Sequence, residues 1–193
     1  MRLYLIRHGQ TQSNVNHLLD TAHPGAPLDE TGLSQAEALA KRLSHEPIEA
    51  VYASDLTRAV QTAAPLAQAR GVALRSLPGL REIPAGVEEL NDDWSAYIDM
   101  IGRWLHEPSY ALAGGENAST FLARYDAAIA RIAESHQVAA AISHGAALRV
   151  WIGYRALNFQ APSPRILANT DVVALDGSVE QGWRVLSWAD ELL

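Results

Sequence analysis

Two short segments of this chain are built alike. Leu3-Tyr4-Leu5-Ile6-Arg7-His8-Gly9 and Ala140-Ala141-Ile142-Ser143-His144-Gly145 each run an apolar stretch into a His-Gly pair. Neutral imidazole offers one ring nitrogen as nucleophile or base, and histidine changes charge close to neutral pH. One histidine at a strand end is most often structural; the repeated pattern, with Arg7 touching its first copy, argues for a shared site. A third segment, Ala53-Ser54-Asp55-Leu56-Thr57-Arg58-Ala59, opens a helical pattern and puts Arg58 in its first turn. Helix starts carry free N–H groups and a positive dipole end, so anions collect there. Taken alone, Arg58 would be an ion-pair partner for an acid such as Asp55. Beside Arg7 and two histidines, a phosphate clamp explains it better, because a planar guanidinium can grip two phosphoryl oxygens.

The elements that must position these residues are legible as period and punctuation. Apolar, branched-rich runs predict strands at 2–7, 48–53, 72–77, 138–143, 171–175 and 183–188. Between them, Leu33, Ala36, Ala40 and Leu43 mark one face of a helix that follows Thr31-Gly32. A second helix is expected from a cap at Ser54-Asp55 to Arg70-Gly71, with others over 117–135 and 145–153. Strands alternating with helices predict an α/β fold with a mostly parallel sheet, and no repeat or linker divides residues 1–193 into more than one domain. In such a sheet the carboxyl ends share one edge, where ligands bind, so His8 and His144 can be neighbours.

Residues 83–116 break the rhythm. Trp94, Tyr97, Ile98, Ile101, Trp104 and Leu105 form one helical stripe, and Gly114-Gly115 marks the exit. The stripe predicts a helix packed on the core, a cap over the site, or both at once. The same apolar face could serve a homodimer.

Composition bounds the partners. The formal net charge of -7 argues against a nucleic-acid partner, while leaving room for a local cationic pocket. Absent cysteine excludes disulfides, thiol catalysis and thiolate metal sites, and no metal-ligand cluster or cofactor motif is evident. The opening apolar run stops at Arg7-His8-Gly9, too short for a membrane span or signal peptide, so a cytoplasmic enzyme with no membrane partner is expected.

Arg7-His8-Gly9-Gln10-Thr11, with Asn14, resembles the signature of the histidine phosphatase superfamily, also called the phosphoglycerate mutase-like family. Further similar segments follow in family order: Pro27-Leu28-Asp29-Glu30-Thr31-Gly32, Ser54-Asp55-Leu56 with Arg58-Ala59, Leu80-Arg81-Glu82 with Gly86, Gly114-Gly115-Glu116, Ser143-His144-Gly145, and Asn169. The resemblance spans the chain. It implies a three-layer α/β/α fold with a helical cap insertion at about 83–116, and no cofactor or metal. It also implies that His8 becomes phosphohistidine, that Arg7, Arg58 and His144 bind the phosphoryl oxygens, and that Asn14 lies at the pocket edge. Glu82 matches the family's proton donor and acceptor, a role that suits a buried carboxyl; Glu88 and Glu89 are its competitors.

Two departures fall where substrate is chosen. Glu88-Glu89-Leu90 stands where many members have Trp-Glu-Gly, and Thr21, Ala22 and His23 form an unusual substrate mouth. The other histidines, His17, His45, His106 and His136, read as surface residues. Three activities fit: a phosphomonoesterase for small phosphorylated metabolites, a phosphoglycerate mutase-type isomerase, and a non-catalytic phospho-ligand module. A chain ending at Leu193 with few basic cap residues beyond Arg103 favours water as acceptor over a second hydroxyl. The presence of both His8 and Glu82 disfavours the non-catalytic module. Trp94 and Trp104 favour a small organic phosphate.

Overall fold

A computed structural model describes residues 1–159, 165–189 and 191–192. Four strands, β1 (Arg2–Arg7), β2 (Ala50–Ala53), β3 (Leu74–Ser76) and β4 (Val138–Ser143), form a parallel block in the order β3-β2-β4-β1. β5 (Val172–Ser178), β6 (Gly182–Trp188) and the short β7 (Glu191–Leu192) extend it antiparallel beyond β1. Strand period then decides the layers. Leu3, Leu5, Ala50, Tyr52, Ala139 and Ala141 face one core; Tyr4, Ile6, Val51, Ala53, Ala140 and Ile142 face the other.

The second core is covered by α2 (Glu30–Arg42) and α3 (Thr57–Arg70), the first by α4 (Ser95–Arg103), α5 (Ala118–Ala133) and α6 (Gly145–Arg155). The architecture is therefore the expected three-layer α/β/α sandwich with a mixed, mostly parallel sheet. Aromatic rings fill the first core in succession: Trp104 stacks on Phe121 with centroids 6.0 Å apart, Phe121 lies 5.6 Å from Tyr125, and Tyr125 lies 5.5 Å from Trp151. Among the described residues no helix is long and apolar enough to cross a membrane.

Several expectations need correction. α2 begins at Glu30, because Asp29 caps it by accepting the Gly32 N–H at 2.7 Å. Leu33, placed on its buried face, is exposed; Ala36, Leu39, Ala40 and Leu43 do the packing. α3 has no side-chain cap at its Leu56 start. Asp55 is instead taken by Arg81 through two hydrogen bonds, 2.6 and 2.5 Å, which hold its carboxyl below the usual carboxylate range. α1 (Gln12–Val15) was not anticipated, since four residues are too few to show a period; its Thr11–Asn14 capping box makes it.

The stripe in the 83–116 insertion divides. Tyr97, Met100 and Trp104 enter the core, while Trp94 and Ile98, one helical step round, stay exposed on the side of the strand ends. A stripe this wide serves both faces, so the helix is a core element and a roof together. The neck of the insertion closes backbone to backbone. Val87 N–H donates to the Ala113 carbonyl at 2.9 Å, and Gly86 sits at φ +60° with no room for a side chain. A Cβ there would collide with the Ala113 carbonyl and stand 2.7 Å from Gly115 N. Gly86→Ala is therefore expected to destabilise the protein by roughly 2 kcal/mol or more, measured by urea denaturation, because strain and overlap coincide.

Candidate active site

β1 and β4 are neighbours in register, Arg7 opposite Ser143, so the two His-Gly pairs leave the sheet side by side. The His8 N–H still donates to the Ser143 carbonyl at 3.0 Å, and the two imidazole centroids lie 5.2 Å apart with planes tilted by 56°. His8 Nδ1 lies 2.7 Å from the Gly9 carbonyl, which fixes the proton on Nδ1 and leaves the lone pair on Nε2. Arg58 donates its Nε–H to that Nε2 at 3.0 Å. The Gly9 N–H is held by Thr62 at 2.9 Å, and the His8 carbonyl by the Asn169 amide at 3.0 Å, so the backbone on both sides is pinned.

Charge and burial act on the imidazoles in one direction. Burial holds His8 well below the ordinary histidine value, Arg58 and Arg7 push it further down, and the Gly9 carbonyl opposes them weakly. His144, fully buried, is lowered by desolvation first and then by Arg58, His8, Arg124 and Arg7. Both rings are neutral at pH 7. Arg58 is buried too; its Nη1 lies 3.7 Å from the Asp20 carboxylate, and its Nη2 donates to the Asp20 carbonyl at 2.7 Å. Its acid is thus Asp20, not Asp55. Gly25, at φ +71°, lets that guanidinium pass, since a Cβ would run into Nη1. Among the described residues, Arg7 Nε, Arg58 Nη1 and both His144 ring nitrogens are buried without a hydrogen-bond partner. Such groups are costly unless a ligand engages them.

Arg7, His8, Asn14, Arg58 and Glu82 line one cavity of about 190 Å³. His144 is fully buried beside His8 and off the wall, while its neighbours Gly145 and Ala146 line the cavity. Asn14 Oδ1 accepts from Thr11 N–H and from the Asn169 amide, both at 3.2 Å. The Glu82 carboxylate accepts the Ala146 and Ala147 N–H groups at 3.1 and 2.8 Å, on the first turn of α6. Glu88 is held by Asn91, and Glu89 accepts the N–H groups of Thr21 and Ala22 at 2.8 and 2.9 Å as well as the Thr21 hydroxyl. Neither lines the cavity. Of the expected substrate mouth only Thr21 does; Glu89 draws that backbone toward the cap, and Ala22 and His23 are left exposed.

Residues that sequence reasoning missed are mostly positioning groups. Arg124 donates to the carbonyls of Gly79 and Arg81 at 2.9 Å each and of Glu82 at 3.0 Å, while its charge is met by Glu116. Ser143 donates to the Leu80 carbonyl at 2.8 Å and Tyr97 to that of Ile83 at 2.9 Å, so every carbonyl from 79 to 83 is engaged. Arg149, five residues past His144 on α6, also lines the cavity; its place one turn into that helix was a readable signal. His136, expected at the surface, is half-buried against the Tyr52 hydroxyl at 3.1 Å and Arg75 at 3.0 Å.

The sequence profile of the histidine phosphatase superfamily (branch 1) matches residues 3–191. The chain is 34% identical to a PE-PGRS family protein of Mycobacterium tuberculosis over 95% of its own length, but spans only about a third of that protein, 35%. It is 33% identical to the adenosylcobalamin/alpha-ribazole phosphatase of Salmonella typhimurium over 68% of this chain and 67% of that one. Among solved structures, a mycobacterial glucosyl-3-phosphoglycerate phosphatase complexed with VO3 superposes with a TM-score of 0.83 at 26% identity, covering 97% of this chain and 98% of the other. The alpha-ribazole phosphatase of Shigella flexneri gives 0.77 at 28% identity, covering 100% and 99%.

The depressed histidines have a consequence for stability. Between their folded values and the ordinary value near 6.5, the unfolded chain binds protons that the folded chain does not, so stability rises with pH. It is fully present above about pH 6.5 and is lost as pH falls below it, by about 1.4 kcal/mol per pH unit for each group. Urea denaturation from pH 7.5 to 5 is expected to show this acid-side loss, and a His144→Gln variant a shallower slope.

Proposed function

The chain belongs to the histidine phosphatase superfamily, and from that membership we propose that it is a metal-independent phosphomonoesterase working through a phosphohistidine on His8. The observation that carries the proposal is the state of His8: neutral, its Nδ1–H bonded to the Gly9 carbonyl at 2.7 Å, and its Nε2 lone pair turned to the Arg58 guanidinium 3.0 Å away. An imidazole in this tautomer is a ready nucleophile, and the cation beside it is where a phosphoryl group would be drawn.

In the proposed cycle a substrate phosphoryl group enters between Arg7 and Arg58, whose guanidinium N–H groups take its oxygens, and His144, buried beside His8, supplies a further N–H as the group settles onto Nε2. Arg58 turns its fork from Nε2 to those oxygens. Nε2 then attacks phosphorus as the ester P–O bond breaks, and charge spreading over the equatorial oxygens is met by the two guanidinium groups. Glu82 gives its proton to the leaving alkoxide. Water attacks the phosphohistidine next, its proton returns to Glu82, and inorganic phosphate and neutral His8 are restored. Asn14, tied through Asn169 to the His8 carbonyl, holds the edge of the pocket.

A cavity of about 190 Å³ suits a small organic phosphate better than a folded phosphoprotein. The relatives that are phosphatases of alpha-ribazole and glucosyl-3-phosphoglycerate support the same size class. A small-metabolite substrate fits one domain over residues 1–193 acting in the cytoplasm.

The test is turnover of p-nitrophenyl phosphate and a simple alkyl phosphate in chelator-treated buffer. Wild type is expected to hydrolyse both and, after rapid quench in alkaline detergent, to carry an acid-labile, base-stable phosphoryl group. His8→Ala should lose at least about a thousandfold, and normal turnover by that variant would sink the proposal. Glu82→Gln should lose about 10²–10⁴-fold on the alkyl ester and much less on p-nitrophenyl phosphate, whose leaving group needs no proton. Interconversion of phosphoglycerates faster than hydrolysis would favour the isomerase instead.

A further inference from the structure

Beyond the phosphoryl end, the cavity changes character. Its outer part is walled by Leu18, Trp94, Ile98, Ile101 and Ile166. Three of these rank among the exposed large apolar residues of the molecule: Trp94 at 36%, Ile98 at 61% and Ile166 at 77%. Apolar side chains scattered singly on a surface need no explanation, but a cluster around the mouth of a site does. The Trp94 indole N–H donates to the His17 carbonyl at 2.6 Å, which satisfies its polar edge and leaves the ring's carbon face for the cavity.

Most of the polar groups nearby are already engaged in the fold, and Arg149 adds one further charged side chain to the cavity wall. The Asp20 carboxylate accepts from Ser13 and from Ala26 N–H, at 2.8 and 2.9 Å, and faces Arg58. The Asn14 amide oxygen belongs to the α1 cap, and Thr21 is bonded to Glu89 and to Ala85 N–H. A polyhydroxylated leaving group would lose water along this wall and find few partners in exchange. An apolar body would lose nothing and would cover the cluster.

We propose that this outer wall is a leaving-group subsite for an apolar ring system, so that the preferred substrates are phosphate monoesters of alcohols carrying an aromatic or similarly flat apolar body. The ring lies between Trp94 on one side and Ile98, Ile101 and Ile166 on the other, while the ester oxygen stays within reach of Glu82. On P–O cleavage the alcohol leaves with the Glu82 proton and the phosphoryl group stays on His8. The subsite rests on the phosphatase reading for its chemistry, but its affinity for the ring does not depend on turnover.

Two measurements separate the cases. The first compares kcat/KM for 2-(1-naphthyl)ethyl phosphate and glycerol 3-phosphate, both primary alkyl monoesters, so that leaving-group acidity does not dominate the difference. The wild type should prefer the naphthyl ester by about thirtyfold or more. Ile98→Ser and Ile166→Ser, both at exposed positions, should each shrink that preference about tenfold, mainly through KM. Leu105→Ser, an exposed apolar change off the cavity wall, should leave the preference alone. The second measures binding of 2-(1-naphthyl)ethylphosphonate and 3-hydroxypropylphosphonate, which cannot be hydrolysed, by calorimetry. The naphthyl compound should bind at least tenfold tighter, and Ile98→Ser should erase most of the margin. Equal turnover and equal affinity, with p-nitrophenyl phosphate still hydrolysed, would overturn the subsite and spare the phosphatase. Tight naphthyl binding without turnover of any monoester would keep the subsite and remove the phosphatase.

Discussion

Two imidazoles and two guanidinium groups are packed at the ends of β1 and β4, where little solvent reaches them. Burial disfavours charge on the imidazoles first, and the guanidinium groups beside them add to it, so the histidines give up their protons. That one constraint organises the rest. Arg58 keeps its charge because Asp20 is beside it, and Asp20 is held in place by Ser13 and the Ala26 backbone. His8 takes the tautomer that the Gly9 carbonyl dictates, and Gly9 is in turn tied to Thr62 on α3. What the site lacks is hydrogen-bond partners for Arg7 Nε and Arg58 Nη1, and a dianionic phosphoryl group is a ligand that would supply them.

The acid is placed by different means. Glu82 lies on irregular chain between two short turns, where a side chain would ordinarily wander. Its neighbours' carbonyls, from Gly79 to Ile83, are all taken by Arg124, Ser143 and Tyr97. Ser143 belongs to the same strand end as His144, and it also accepts from Tyr125 at 3.0 Å. One hydroxyl therefore couples the position of the acid to the position of the second histidine. The loop has the precision of a regular element without its hydrogen-bond ladder.

How much of this was legible follows from the range of each signal. The strand-His-Gly pairs were readable because apolar run and His-Gly step are contiguous in sequence, and parallel-sheet geometry then put both at one edge. Arg58 was readable because a helix start is a local feature. Asp20 and Arg124 were not, since each acts on a partner brought to it by folding, Arg124 on a segment more than forty residues away; Asn169 was visible as a motif residue, but not its bond to the His8 carbonyl. Ser54-Asp55 looked like a helix cap because residue type cannot show that Arg81 claims Asp55 first. Leu33 was misplaced because the helical period was right while its contact surface starts one turn later.

The cap shows why substrate choice is the least readable layer. A single apolar stripe on α4 was visible, yet half of it secures the helix to the Phe121–Tyr125 core and half faces the cavity, and the period is the same for both. Only the sheet edge beneath decides which residue does which. The core half pays for the helix, which frees Trp94 and Ile98 to stay exposed without unfolding the cap. Glu89 then does for the mouth what Arg124 does for the acid, binding the Thr21 and Ala22 backbone and closing the roof to the floor. Half of the stripe goes into the core, and the apolar side chains left over are the ones that face the cavity at the strand ends.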